Sequence, residues 1–184
     1  MQHVCAEAHA QRIAVEAELP PLPGVGGQAT APSEGSRPTE PDQASEFVRA
    51  TSVDALAINV GQQHLHGHQI VRLDLDRLTR LEHALDLPLV LHGASSANRR
   101  DLAAAINRGV CKINVDSVLK QAYFAALRDA CQKVQADANP YEVIRSGLAS
   151  DVLAASRLTM RQVTKNWMKL FGSAGKAPAK INRT

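Results

Sequence analysis

The sequence predicts an α/β fold in which a parallel sheet is covered by helices, and two observations carry that prediction. Short, almost wholly apolar strands recur at helix-sized intervals, and the segments between them have helical periodicity with turn and cap residues at their ends. A third observation sets the scale: 184 residues with 45% hydrophobic side chains are enough to bury a core, so one domain is expected.

The first strand is read at Ile13 to Leu19, where IAVEAEL alternates apolar and acidic residues and puts Glu16 and Glu18 on one side. Residues 20–41 are rich in Pro, Gly, Ser and Thr and read as a mobile loop or lid, because so long a structureless connection is unusual inside a domain. A short helix follows at Asp42 to Ala50, then a buried strand at Ala55 to Val60 and a helix near Asp74 to Leu85. The unit repeats with a strand at Leu89 to Leu91, the loop HGASS, and a helix from about Ala97 to Asn107 with Ser96 as N-cap. Cys111 to Val115 is the fourth strand. Asp116 or Ser117 opens a helix to about Ala136, Asn139-Pro140 breaks it, and a last long helix runs to Leu170 before Gly172. The apolar stripes of SEFV and KQAYFAALRDA are expected to be helix cores. A complete barrel of eight strand-helix units needs about 250 residues, so four strands make half of a (β/α)8 barrel.

Composition narrows the function. Aromatic residues make up only 3%, too few for stacking on bases, and the net charge of +3 is mild, which disfavours nucleic acid. No apolar run suggests a membrane span or a signal peptide, and Cys5, Cys111 and Cys131 have no CxxC spacing. A cytoplasmic chain with reduced thiols is expected.

Ligands of parallel α/β folds bind beyond the carboxyl ends of the strands. In this chain those ends carry Glu18, then Gly61-Gln62-Gln63-His64, then His92-Gly93-Ala94-Ser95, then Asn114-Val115-Asp116-Ser117. Imidazoles and a carboxylate on one rim suit zinc, while small residues at helix N-termini suit an anion. Each signal also has a plain structural reading. A lone His after a strand is commonly a hydrogen-bonded residue, the alternating His64, His66 and His68 also fit a merely polar loop, and Glu16 and Glu18 also fit an ion-paired face. What favours the site is that all of these signals fall at strand ends of one sheet.

Five segments, VEAEL (Val15 to Leu19), LAINVGQQH (Leu56 to His64), PLVLHGAS (Pro88 to Ser95), GVCKINVDS (Gly109 to Ser117) and LFGSAGKA (Leu170 to Ala177), resemble in order and separation the class II fructose-bisphosphate and tagatose-bisphosphate aldolases. The resemblance implies that residues 1–177 form the carboxy-terminal half of a TIM barrel, with 178–184 as a tail. It implies that His64 and His92 are two of three zinc ligands and that Glu18 holds zinc in an alternative position. It further implies that Gly93, Ala94, Ser95, Asn114, Val115, Asp116 and Ser117 grip the phosphate and hydroxyls of dihydroxyacetone phosphate, with a small monovalent cation often beside that phosphate.

The implied reaction is reversible cleavage of a sugar bisphosphate to dihydroxyacetone phosphate and an aldehyde; the rival reading is a non-catalytic half-barrel that binds phosphate or metal. The implied partners are a separate amino-terminal half or further copies of the chain. Three departures stand out: Leu65 occupies a position the family usually gives to Gly, Pro20-Pro21 follows VEAEL, and the family's loop glutamate is not assigned to Glu34 or Glu40. The family's Asp-His pair, its proton-transfer Asp and third zinc ligand, has no counterpart in these residues, so no catalytic residue is assigned.

Overall fold

A computed structural model of the chain describes residues 1–21, 37–63 and 70–177. Two compact units are present, Met1–Val115 and Asp116–Thr184.

The first unit alternates strands and helices: α1 (Gln2–Ala10), β1 (Glu16–Leu19), α2 (Pro41–Thr51), β2 (Ala55–Ile58), α3 (Leu75–Ala84), β3 (Leu89–Leu91), a 3-10 turn (Ala94–Ser96), α4 (Arg99–Ile106) and β4 (Val110–Ile113). The four strands form one parallel sheet in the order β1-β2-β3-β4, as the apolar runs predict. Leu56, Ile58, Leu89, Val90 and Leu91 of the two central strands are fully buried, while the edge strands are more open. Helices need caps because their first N–H groups lack intrahelical acceptors. Asp74 accepts from Arg77 N at 2.8 Å to start α3, and Asn98 accepts from Arg100 N at 2.9 Å to start α4.

Several elements differ from the sequence expectation. α1 was not anticipated, since its polar sequence buries only Cys5. β1 begins at Glu16 rather than Ile13, because the chain turns through Arg12 (φ 59°) and Val15 N–H donates to Asp54 Oδ2 at 2.7 Å instead of continuing a ladder. Ser96 is not the N-cap of α4; it lies in the 3-10 turn, and Asn98 caps the helix. β4 ends two residues early, at Ile113.

A bulge between β3 and β4 carries more weight. Leu89 pairs with Val110 but Val90 pairs with Lys112, so Cys111 is an extra residue and the side chains beyond it change face. The turn into β4 depends on Gly109 at φ +85°, where an added Cβ would meet Glu82 Cγ at 2.7 Å. Gly109→Ala is therefore expected to lower unfolding stability by about 1–3 kcal/mol, the cost of a non-glycine residue in this backbone region. Urea denaturation checks it.

The second unit contains α5 (Ser117–Cys131), α6 (Pro140–Val143) and α7 (Val152–Leu170), with α5 packed on α7. Asp151 caps α7 by accepting from Leu153 N at 3.0 Å and Ala154 N at 3.3 Å, and Gly172 ends it at φ 66°. The KQAYFAALRDA stripe does not make a buried core: no residue of α5 is fully buried in this structure and Phe124 is 65% exposed. Within its unit α5 packs against one long helix, which shields one flank of the stripe. None of the described helices is long and apolar enough to cross a membrane.

Candidate functional site

The sheet register builds the site. In a paired row the side chains share a face, and the row Glu18, Ala57, Val90, Lys112 runs across all four strands. Glu16 and His92 lie two residues from this row and continue the same face. Ala57 and Val90, the small residues in the middle of the row, are fully buried, and the long side chains from the two edges meet over them.

His92 is the hub of this meeting. Its Nδ1 is 2.9 Å from Glu18 Oε1 and its Nε2 is 3.1 Å from Glu16 Oε1. Lys112 Nζ donates to both oxygens of Glu16, at 3.0 and 2.8 Å. His92, Glu16 and Glu18 keep 22%, 28% and 30% side-chain exposure, so the cluster is reachable from solvent yet shielded enough for its charges to matter. Burial pushes the Glu16 carboxyl upward, but hydrogen bonds from Lys112 and His92 and their charges outweigh it and hold the group below the usual range. Glu16 therefore stays ionised beside the imidazole.

The rim behind this cluster is fixed by buried amides and a hydroxyl. Thr39 Oγ1 donates to Leu19 O at 2.5 Å and accepts from Asn59 N at 2.7 Å, tying the ends of β1 and β2 together. Gln62 is a brace at the end of β2, where its amide accepts from Val60 N at 2.8 Å and donates to Ile58 O. Glu40 is held by Arg77 at 2.7 Å.

Of the residues expected at the site, Glu18 and His92 come into direct contact. Asn114 joins them at the rim, since its N–H donates to Leu91 O at 2.9 Å beside His92. His64, with His66 and His68, falls outside the described residues, as do Glu34 and Leu65. Gly93 adopts φ 64° and leads into the 3-10 turn rather than an α-helix; Ala94 is buried and Ser95 half-buried. Asn114 and Val115 close the first unit, while Asp116 and Ser117 open the second, where Asp116 pairs with Lys120 at 2.7 Å. The sequence pairs Glu16 with Glu18 on one side of β1 and carries no signal that places Lys112 beside them. A Lys in a strand whose alternation is broken by a bulge gives no signal of the face it serves. A cavity of about 490 Å³ in the second unit, bordered by Asp129, Lys133 and Asp151, involves none of the expected residues.

Residues 1–176 match the family described as fructose-bisphosphate aldolase class-II. The chain belongs to that family. Among solved structures, the YdjI aldolase of Escherichia coli K12 is similar, with 30% sequence identity and a TM-score of 0.72 over 96% of this chain and 55% of that one. Fructose-bisphosphate aldolase of Campylobacter jejuni, at 19% identity, shares the fold with a TM-score of 0.67 over 94% of this chain and 54% of that one. The chain thus spans little more than half the length of these aldolases. Four parallel strands in a chain of this family are the partial barrel that the strand pattern predicts.

The donor chemistry around His92 fits part of a zinc site. An imidazole nitrogen and a carboxylate oxygen face each other at 2.9 Å, and zinc takes both types. Among the described residues no third His, Cys, Asp or Glu converges with them. Glu16 cannot complete the set, because it lies at the opposite ring nitrogen.

Proposed function

We propose that this chain carries the zinc and phosphate groups of a class II ketose-bisphosphate aldolase site, which cleaves a ketose 1,6-bisphosphate to dihydroxyacetone phosphate and an aldehyde. The observation that carries the reading is the His92–Glu18 contact on the inner face of the sheet, in a chain of this family. His92 and His64 would hold the zinc, with Glu18 beside His92 as a further carboxylate ligand. Zinc, when bound, supplies Lewis-acid polarisation of the ketose carbonyl.

The chain's own residues would do the binding and orienting. Gly93, Ala94, Ser95 and Ser117 would supply small side chains, and the segments Gly93 to Ser95 and Asn114 to Ser117 would supply backbone N–H groups other than that of Asn114, for the phosphate, beside which a monovalent cation would sit. Asn114, next to the end of β3, would orient the substrate near its carbonyl. A second reading, a half-barrel that binds phosphate or zinc without turnover, is favoured by one observation: no Asp-His dipeptide occurs in the 184 residues.

Zinc and phosphate titrations test the binding that both readings share. Zinc is expected to bind the wild-type chain, and His92→Ala to lower its affinity at least about tenfold, since a ligand should matter no less than the groups behind it. Equal affinity in the variant would remove the metal reading. Inorganic phosphate should shift the amide resonances of residues 93–95 and 114–117; a titration that spares both segments would remove the phosphate reading.

A further inference from the structure

We propose that Thr39 is a positioning residue, a hydroxyl wedge that sets the gap between β1 and β2 at the rim and so places Glu18 against His92. The inference rests on the metal reading above and extends it to a buried residue outside the ligand set.

The register shows where the wedge enters. Leu19 pairs with Ile58 at the end of the β1–β2 ladder. Ala55 N–H donates to Val15 O at the start of that ladder, and bonds of one direction recur every second residue along a parallel pair. Asn59 N–H is therefore the donor due to meet Leu19 O. Thr39 Oγ1 stands between them instead, accepting from Asn59 N at 2.7 Å and donating to Leu19 O at 2.5 Å. With both bonds meeting at one hydroxyl, that N and O stand roughly 4 Å apart, against about 2.9 Å for a direct bond. The ladder could have closed without the hydroxyl, since Asn59 N–H and Leu19 O would satisfy each other.

Thr39 is fixed in this place. It is almost fully buried, its own N–H donates to Asn59 O at 2.8 Å, and its carbonyl accepts from Arg77 Nη1 at 3.3 Å. The consequence falls on Glu18. Among the described residues β1 has β2 as its only strand neighbour, so the rung at Leu19 sets the lateral position of its C-terminal end. Glu18 is the residue just before that rung, and its Oε1 lies 2.9 Å from His92 Nδ1. Closing the rung would draw the end of β1 toward β2 by roughly 1 Å, more than the about 0.5 Å span over which a hydrogen bond keeps its geometry.

The test uses the 184-residue chain as wild type and as Thr39→Ser, Thr39→Ala and Thr39→Val. Zinc affinity is read by competition with a chromophoric chelator, the Glu18–His92 contact from crystal structures of the metal-free proteins, and folding by thermal unfolding. Thr39→Ser keeps the hydroxyl and is expected to match wild type in contact and affinity. Thr39→Ala, which lets Asn59 N–H reach Leu19 O, should lose the contact and bind zinc about tenfold more weakly, the lower end of the range for groups behind a ligand. Thr39→Val fills the buried volume but bonds neither strand; it should act in the same direction, and it decides the matter if Thr39→Ala does not fold. A lower unfolding temperature with contact and affinity unchanged would make Thr39 an ordinary structural tie and overturn the proposal. If wild type binds no zinc, the metal reading fails and the contact alone decides. Kept in Thr39→Ser and lost in the other two, it upholds the positioning role; kept in all three, it overturns it.

Discussion

Loaded with zinc and given fructose or tagatose 1,6-bisphosphate, the 184-residue chain is expected to release dihydroxyacetone phosphate at least about 10²–10⁴-fold more slowly than the same chain supplied with a polypeptide bearing an Asp-His strand, the range that general acid-base catalysis contributes. The sequence has no Asp-His dipeptide, so both the proton-transfer Asp and one imidazole that the family resemblance implies are missing from these residues. Both losses fall on the same step. Glu18 is a poor substitute, since it faces His92 Nδ1 at 2.9 Å, and Glu40 is held by Arg77. A coupled assay for dihydroxyacetone phosphate, with His92→Ala as control, checks the expectation. Robust turnover by the wild-type chain alone, lost in that variant, would mean that a residue within the 184 moves the proton. Turnover only with the added polypeptide would favour the enzyme reading over the non-catalytic one.

Asp101→Ala is expected to destabilise the chain by ~2–4 kcal/mol. Asp101 is almost fully buried at the start of α4 and accepts from Arg72 Nε at 2.6 Å and Leu73 N at 3.0 Å. Hydrogen bonds to charged groups contribute roughly 1.5–3 kcal/mol, and a buried N–H left without its acceptor costs roughly 1–3. The same segment is held by Val71 N donating to Ser96 O at 2.8 Å and Asn98 N donating to Val71 O at 2.9 Å. These bonds anchor Val71 to Leu73 against the start of α4, and Asp101→Ala should loosen that anchor. Asp101→Asn, which still offers an acceptor to Leu73, should cost less.

The pH dependence of this loss has a definite sign. The hydrogen bond from Arg72 holds the Asp101 carboxyl below its usual range; burial opposes this, and the Leu73 N–H and the Arg72 charge add to it. A depressed folded-state value contributes stability above the unfolded value, roughly 3.9 for Asp, and loses it as pH falls through the folded value. The gap between wild type and Asp101→Ala in urea midpoint should therefore be constant near neutrality and shrink below about pH 4. A gap that persists at pH 2 would show that Asp101 acts through packing rather than charge.

Much of the scaffold was legible because its signals are local. The apolar runs at Ala55 and Leu89 could only be buried on both faces, which made the sheet parallel, and Asp74 and Gly172 marked helix ends by chemistry that acts within a few residues. The cap of α4 was misplaced by two residues because Ser96 and Asn98 are both good N-caps, and the choice between them depended on the 3-10 turn. The half-buried state of α5 was hidden because periodicity shows which face of a helix is apolar and says nothing of how much of it a neighbour covers.

For the site, the sequence by itself determined that His92 and Glu18 stand at the ends of parallel strands, since strand boundaries and direction follow from burial and turn chemistry. It could not determine that Glu16 and Lys112, 96 positions apart, meet at His92. That contact follows from one extra residue, Cys111, in the β3–β4 register. Side chains alternate faces with a period of two, so this single bulge moves Lys112 from the outer face of the sheet to the inner one, and only the assembled sheet fixes the register in which that happens.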